Sequence, residues 1–215
     1  MAGAPSQTLA EAIEQASTRL ASAPAEAERA ARAILARAPD DPRARLILAS
    51  ARRRQGDFTA ASELLGPLAL AWPNAALTQY ELGLALGGLG DAAGAVDALR
   101  RATSLNPDLA EAWKALGEAL FRAGDPDGAD AAFKAQTRAA VRDPALKPAA
   151  GALFADDPSR AEQLLRAHLA GRPQDAAALQ MLAQARQALG GRDEARALLE
   201  ACLSAEPGRA GARFQ

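Results

Sequence analysis

Catalysis and metal binding draw on a short list of side chains, and this 215-residue sequence holds few of them. There is one cysteine, Cys202, and one histidine, His168. A lone thiol forms no internal disulfide and no cysteine-based zinc site, and a lone imidazole leaves almost no His-centred triad or metal set. Cys202 falls at the small-residue position that Ala102 holds in another stretch, which points to a buried, inert thiol. His168 lies beside Leu165 and Leu169 and reads as a packed or surface histidine rather than a base. Carboxylates are plentiful, but pairs such as Asp125/Asp127 sit in turns, where helix capping accounts for them. Four glycines fall between Gly83 and Gly90, without the Lys or Ser/Thr that a phosphate cradle requires. No cofactor, metal or catalytic group is expected, so the chain reads as a non-enzyme.

The elements that must position whatever function remains are helices. Alanine supplies over a quarter of the residues, against three Ile, two Val and six Thr, the reverse of what strands favour. A formal net charge of −1 gives no long-range field towards nucleic acid or an acidic membrane, and basic patches with interleaved aromatics are too sparse for nucleic-acid binding. Met1 to Ser6 lacks a signal-peptide pattern. The longest apolar stretches, such as Leu68 to Trp72, are far too short to span a bilayer. A cytoplasmic location is the expectation, and the excess of Arg over Lys suggests a GC-rich bacterial genome.

Prolines act as a ruler. Pro39, Pro73 and Pro107 are 34 residues apart, as are Pro173 and Pro207, and each opens a polar junction after an apolar helical stretch. Halfway between them lie Gly56-Asp57, Gly90-Asp91, Gly124-Asp125 and Gly190-Gly191-Arg192-Asp193. Glycine suits the left-handed residue that ends one helix, and the aspartate can cap the next. Each unit is therefore expected to be helix A, tight turn, helix B and a proline-marked junction.

Trp113, Leu116, Gly117 and Leu120, followed by Ala129 and Phe133, resemble the tetratricopeptide pattern W-x2-L-G-x2-Y…A-x3-F…P, with Leu120 in the place of Tyr. Leu82, Gly83, Ala95, Ala102 and Pro107 repeat it, and Leu48, Ala61, Leu65 and Pro73, or Leu182, Ala195, Leu199 and Pro207, keep part of it. The resemblance implies an all-α, right-handed superhelical solenoid of antiparallel helix pairs, a single domain over 1–215. Its units run over roughly 8–41, 42–75, 76–109, 110–146, 147–175 and 176–209, with a stub at 210–215. Small residues such as Gly83 and Gly117 would allow close helix approach, and Leu99, Leu116 and Phe133 would fill the layers. Leu116→Ala and Phe133→Ala are each expected to cost about 2–5 kcal/mol if buried, and Gly117→Leu to be as damaging.

The rhythm breaks in three places. The first unit turns at Ala23-Pro24-Ala25 and reads as a divergent cap. Pro107 to Pro173 spans 66 residues, so helix B of the fourth unit is expected to run about one turn long and helix A of the fifth, near 148–155, to be short. Asp156-Asp157-Pro158 stands there in place of a glycine turn. At the end, Ala210 to Gln215 starts a helix that stops too soon to cover the last pair. This implies a longer parent protein or self-association through the C-terminal face.

A narrower resemblance covers about 80–215. Asp143-Pro-Ala-Leu146, Ala161 to Leu169, Ala178 to Ala183 and Leu198 to Pro207 are similar to the N-terminal helical region of bacterial fusions joining tetratricopeptide repeats to a sulfotransferase domain. That resemblance implies a docking arm for a catalytic domain downstream. A free-standing adaptor or secretion-type chaperone is the alternative.

One outward stripe per helix A defines a candidate groove for a protein or peptide. It begins basic and polar with Arg43, Ser50, Arg53 and Arg54. Tyr80 follows, then Lys114, Glu118, Phe121 and Arg122, and it ends in the amides of Gln180 and Gln184. Arginine and aromatic side chains are the types that usually carry binding energy. The clamp by which chaperone-binding relatives hold a terminal carboxylate is not recognisable, because Leu46, Ser50 and Glu81 stand where Lys or Asn would be needed.

Overall fold

The structure, a computed structural model, describes residues 8–141 and 143–205. Twelve α-helices and one short 3-10 turn account for the regular structure among these residues, with no strand. The chain divides into two compact units, Met1–Phe133 and Lys134–Gln215. The first holds α1 (Leu9–Arg19), α2 (Pro24–Arg37), α3 (Pro42–Arg54), α4 (Phe58–Ala71), α5 (Ala76–Gly88), α6 (Ala92–Leu105), α7 (Ala110–Arg122) and the start of α8 (Pro126–Ala139). The second holds the rest of α8, a 3-10 turn (Pro144–Leu146), α9 (Lys147–Phe154), α10 (Pro158–Gly171), α11 (Ala176–Ala188) and α12 (Arg192–Ala205). The stub at 210–215 and the junction at Pro207 lie outside the described residues.

Two helix lengths recur. α3, α5, α7 and α11 are each 13 residues long, and α2, α4, α6, α8, α10 and α12 are each 14. The turns between them follow the expected chemistry. Gly56, Gly90, Gly124 and Gly190 have φ between 81° and 85°, which side-chain-bearing residues adopt at a cost. Asp57 and Asp91 then accept from the backbone amides of Ala60 and Gly94 at 3.1 and 2.9 Å. The last turn departs from this plan: Gly191 takes the aspartate's place, and Asp193 sits inside the first turn of α12.

The irregular unit resolves differently from expectation. Helix α8 has the same 14 residues as its counterparts, and the surplus chain goes into the connection and the 3-10 turn that lead to α9. Asp143 caps that turn through Ala145 N–H at 2.8 Å, and Pro144 supplies a pre-set φ at its first position. Helix α9 is only eight residues long. After it, Asp156 adopts φ 57° and replaces the turn glycine, while Asp157 caps α10. Asp and Asn tolerate this region better than β-branched residues do. Asp156→Val is therefore expected to cost about 1–2 kcal/mol, with Asp156→Gly close to neutral, as read by urea unfolding followed by circular dichroism.

A second regularity lies at the proline junctions. Six residues after Pro39, Pro73 and Pro107 stand Arg45, Gln79 and Trp113, and each donates a side-chain N–H to the carbonyl of its own proline, at 3.0, 3.5 and 2.9 Å. Three unlike side chains perform one task, which is to satisfy a carbonyl at a helix end that cannot bond within its helix. Gln79 does so least well: its bond is the longest, and its buried Oε1 has no partner.

The core is a series of small clusters rather than one large one, as stacked helix pairs require. Ile13, Ala27, Ile34 and Ile47 form one, Ala49, Leu65 and Ala85 a second, and Leu99, Leu116 and Leu120 a third. In the second unit Leu146, Leu165 and Leu182 form one cluster, and Leu179, Leu199 and Cys202 another. A Cβ on Gly83 would lie 2.6 Å from Leu99 Cγ, and one on Gly117 would lie 2.6 Å from Phe133 Cε1. The two contacts differ in consequence. Leu99 is fully buried and cannot move aside, whereas Phe133 is 38% exposed and its ring can swing outward. The cost of losing Phe133 therefore falls below the range expected from full burial, and of the two equally close contacts the one at Gly83 has less room to relax.

Candidate binding surface

In the Met1–Phe133 unit the outward stripe is only partly a free surface. Ser50 is buried, at 2% exposure, within a wide arc of α3 that also hides Ala44, Ile47, Ala49 and Ala51. It cannot meet a ligand. Arg53 is committed as well: its Nε donates to Glu81 Oε2 at 2.6 Å, with the two side chains 15% and 11% exposed. Arg43 is exposed and loosely paired with Asp41 at 3.5 Å. Lys114 and Glu118 face each other at 3.9 Å across one turn of α7, and Arg122 Nε donates back to the Glu118 carbonyl at 3.2 Å.

What remains available is compact in chemistry. Arg54 is exposed and makes no ion pair among the described residues. Phe121 is 69% exposed on α7, and Leu77 is 54% exposed on α5. Tyr80 is half-buried against the Leu99–Leu116 cluster. Burial, then the Glu81 carboxylate, raise the pKa of its phenol, against the pull of Arg53 and, more weakly, Arg54. The hydroxyl therefore stays protonated near neutrality, available as donor and acceptor. A flat arginine, a phenol and an exposed phenyl ring suit contact with another polypeptide and offer no reaction chemistry.

In the Lys134–Gln215 unit the amides Gln180 and Gln184 stand on α11 beside two adjoining cavities. One, of about 360 Å³, is walled by α8, α9 and α11, with Val141, Leu153 and Met181 among its apolar lining. The other, of about 560 Å³, reaches from Thr137 to Asp143, Asp175 and Gln180. Thr137, Val141, Met181 and Gln184 line both. These cavities arise because α9 is five residues shorter than the other second-unit helix A, α11.

The one cluster of metal-ligand types among the described residues, Asp143, His168 and Asp175, was not visible in the sequence, because two of the three come from separate junctions and the third from within α10. Their ligand atoms lie within 4.8 Å of one another. Every carboxylate oxygen already has a protein partner, however. Asp143 takes the Ala145 amide and Arg172 Nη1, the latter at 2.6 Å. Asp175 takes the amides of Ala177 and Ala178, and His168 Nε2 at 2.8 Å. The cluster ties α10 to the two junctions beside it, in place of the side-chain donor that Leu179 cannot supply six residues after Pro173.

Asp175 shows the consequence in its protonation. Burial alone would raise its pKa, but the bond from His168 and the two amides outweigh it and hold the carboxyl below its usual range. A depressed carboxylate stabilises the fold above its unfolded pKa, and that contribution is lost as pH falls through the folded value. Asp175→Asn is thus expected to lower stability at neutral pH and to flatten the loss of stability below about pH 4. Thermal unfolding of both proteins from pH 3 to 7, an interval around that value, checks this; parallel curves would contradict it.

Equal-length helix pairs, glycine–aspartate turns and serial cores define a helical repeat scaffold. The chain belongs to the tetratricopeptide repeat family. One tetratricopeptide repeat model matches residues 21–78 and 80–145, and a second matches 176–209. The shortened unit around α9 falls between these matches.

No curated protein matches the sequence. Among solved structures, the chain is similar to pilF of Pseudomonas aeruginosa, with 19% identity, 95% of each chain covered and a TM-score of 0.56. It is also similar to a tetratricopeptide repeat protein of Parabacteroides merdae, with 16% identity, 95% of this chain and 82% of that one covered, and a TM-score of 0.53. A third is a thermophilic tetratricopeptide repeat protein of Thermus thermophilus, with 19% identity, 96% and 95% covered, and a TM-score of 0.52. At these identities the likeness is one of fold. No described helix is long and apolar enough to cross a membrane.

Proposed function

We propose that this chain is a non-catalytic, cytoplasmic scaffold that binds a protein or an extended peptide through its A helices. The observation that carries the reading is the exposure of Phe121, at 69%, on the same helix series as Tyr80 and Arg54. An exposed phenyl ring contributes little to the fold, while aromatic and arginine side chains account for much of the binding energy at interfaces. Tetratricopeptide repeats generally bind protein partners, which fits. Arg43, Lys114, Glu118 and Arg122 would form the polar rim in the Met1–Phe133 unit, Gln180 and Gln184 would serve the Lys134–Gln215 unit by itself, and Arg53 would act by holding Glu81 rather than by contact. The test is affinity for a peptide selected from a random library. Changing Arg54, Tyr80 and Phe121 together to alanine is expected to weaken binding by about 30-fold or more, the equivalent of one strong hot spot. Unchanged affinity would place binding elsewhere.

The narrower role of a docking arm in a sulfotransferase fusion rests on the sequence resemblance over 80–215, and the free-standing adaptor or secretion-type chaperone stands against it. Sequencing the gene past the codon for Gln215 separates the two. A sulfotransferase domain there supports the first, and a stop codon supports the second. Self-association through the C-terminal face is part of the same proposal, and light scattering over a concentration series reads it directly.

A further inference from the structure

Resting on the scaffold reading, the geometry of the Lys134–Gln215 unit assigns a partner chemistry to its cleft. We propose that the cleft between α8, α9 and α11 takes an extended peptide in which a large apolar side chain fills the cavity and an adjacent side-chain carboxylate pairs with Arg138.

The cleft exists because α9 has eight residues where α11 has thirteen, and its floor is built from apolar side chains of α9, α11 and the connection after α8. Val141, Ala150, Leu153 and Met181 make that floor. A volume of about 360 Å³ is at the small end for a ligand site and matches one bulky side chain better than a cofactor. Methionine in such a floor adapts to the shape of its guest.

The cleft is elongated. Its cavity shares four lining residues with the next, and the exposed Gln184 stands on both, where a side-chain amide can bond a peptide backbone. An elongated, amide-edged cleft suits a chain more than a compact small molecule.

Charge decides what flanks the apolar anchor. At the far end Asp143 and Asp175 are saturated by Arg172, His168 and backbone amides. At the near end the Arg138 guanidinium carbon lies over the Phe154 ring, 4.8 Å from its centroid, and no carboxylate pairs with it among the described residues. A guanidinium held over an aromatic face has already lost some of its freedom, so a bidentate bond to a carboxylate costs less further ordering. Asp156 lines the same cavity with the opposite sign and makes no ion pair with Arg138. It opposes an incoming carboxylate, so its removal tightens binding.

The experiment uses the full chain and synthetic fluorescein-labelled peptides in a Gly/Ser background, with central pairs Glu-Leu, Gln-Leu, Lys-Leu or Glu-Ser. Fluorescence anisotropy reads affinity, and the Met181 methyl resonance reports the place. Glu-Leu is expected to bind about tenfold more tightly than Gln-Leu, the value of one charge-assisted bond, with Lys-Leu and Glu-Ser weaker still. Arg138→Gln, with its circular dichroism unchanged, is expected to abolish the difference between Glu-Leu and Gln-Leu. Asp156→Asn, which keeps a residue suited to a positive φ, is expected to tighten Glu-Leu about two- to threefold. Equal affinities for the four peptides, or binding that leaves Met181 unshifted, would overturn the proposal. Glu-Leu binding that shifts Tyr80 and Phe121 instead would also overturn it, yet would leave the scaffold reading standing. Failure of every peptide in a random library to perturb either unit would overturn the scaffold reading itself.

Discussion

Arg53→Met is expected to destabilise the Met1–Phe133 unit by about 3 kcal/mol, and adding Glu81→Met to recover most of that loss. Glu81 sits at 11% side-chain exposure with the Arg53 guanidinium 2.6 Å away. Removing the arginine leaves a nearly buried carboxylate without its counter-charge, which costs far more than the pair contributes when intact. Replacing both partners by apolar groups of similar length removes the unpaired charge and the desolvation cost together. The residual exposure of both side chains puts the expectation at the low end of the range for buried pairs. Both tryptophans, Trp72 and Trp113, lie in this unit, so urea unfolding followed by tryptophan fluorescence reads it selectively. If the double variant were as unstable as the single one, the pair would owe its role to shape rather than charge. The result also separates structure from binding: an arginine free to meet a partner would cost almost nothing to replace.

Leu65→Ala has the second large effect, in the upper part of the range of about 2–5 kcal/mol for buried leucines. Leu65 is wholly buried on α4; its fully buried cluster partners Ala49, Ala61 and Ala85 are all alanines, and the half-buried Leu46, Leu64 and Leu82 pack at the cluster's edge. Alanine has no rotamers with which to reach into a new cavity, the three leucines stand only at its edge, and the helices are held by their turns, so most of the space stays open. An alanine-rich chain thus depends on each of its few large side chains more than an ordinary core does. Leu65→Met, which conserves volume, is expected to cost less than about 1.5 kcal/mol. Similar losses for the two substitutions would show that the site collapses, contrary to this account. Unfolding by fluorescence again provides the measure.

How much was legible beforehand depends on whether the signal was local. Turns are local: Gly90 and Asp91 are adjacent, and the positive φ and the cap follow from residue type alone. Junction donors were in register but hidden by chemistry, since Arg45, Gln79 and Trp113 share a spacing and no residue type. Burial along α3 misled the outward stripe. A helix packed on several sides hides more than half its circumference, and serine is small enough to sit at Ser50 without disturbing its alanine neighbours. Pairings between separate elements, such as Arg53 on α3 with Glu81 on α5 or Asp143 with Arg172, span 28 and 29 residues and left no pattern to read. The shortened helix near 148–155 was visible as a lost proline register, but the sequence placed its surplus chain in α8 when the 3-10 turn absorbs it. The cleft that results was therefore invisible.

Among the described residues, function rests on which face of the helix pairs is left unoccupied. The direct measurement is an amide chemical-shift map of the full chain titrated with the tightest peptide from a random library. Shifts are expected to concentrate on A helices, around Tyr80 and Phe121 or around Met181 and Gln184, with exposed B-helix positions such as Arg101 and Gln163 silent. Shifts confined to α4, α6 or α10 would contradict that expectation.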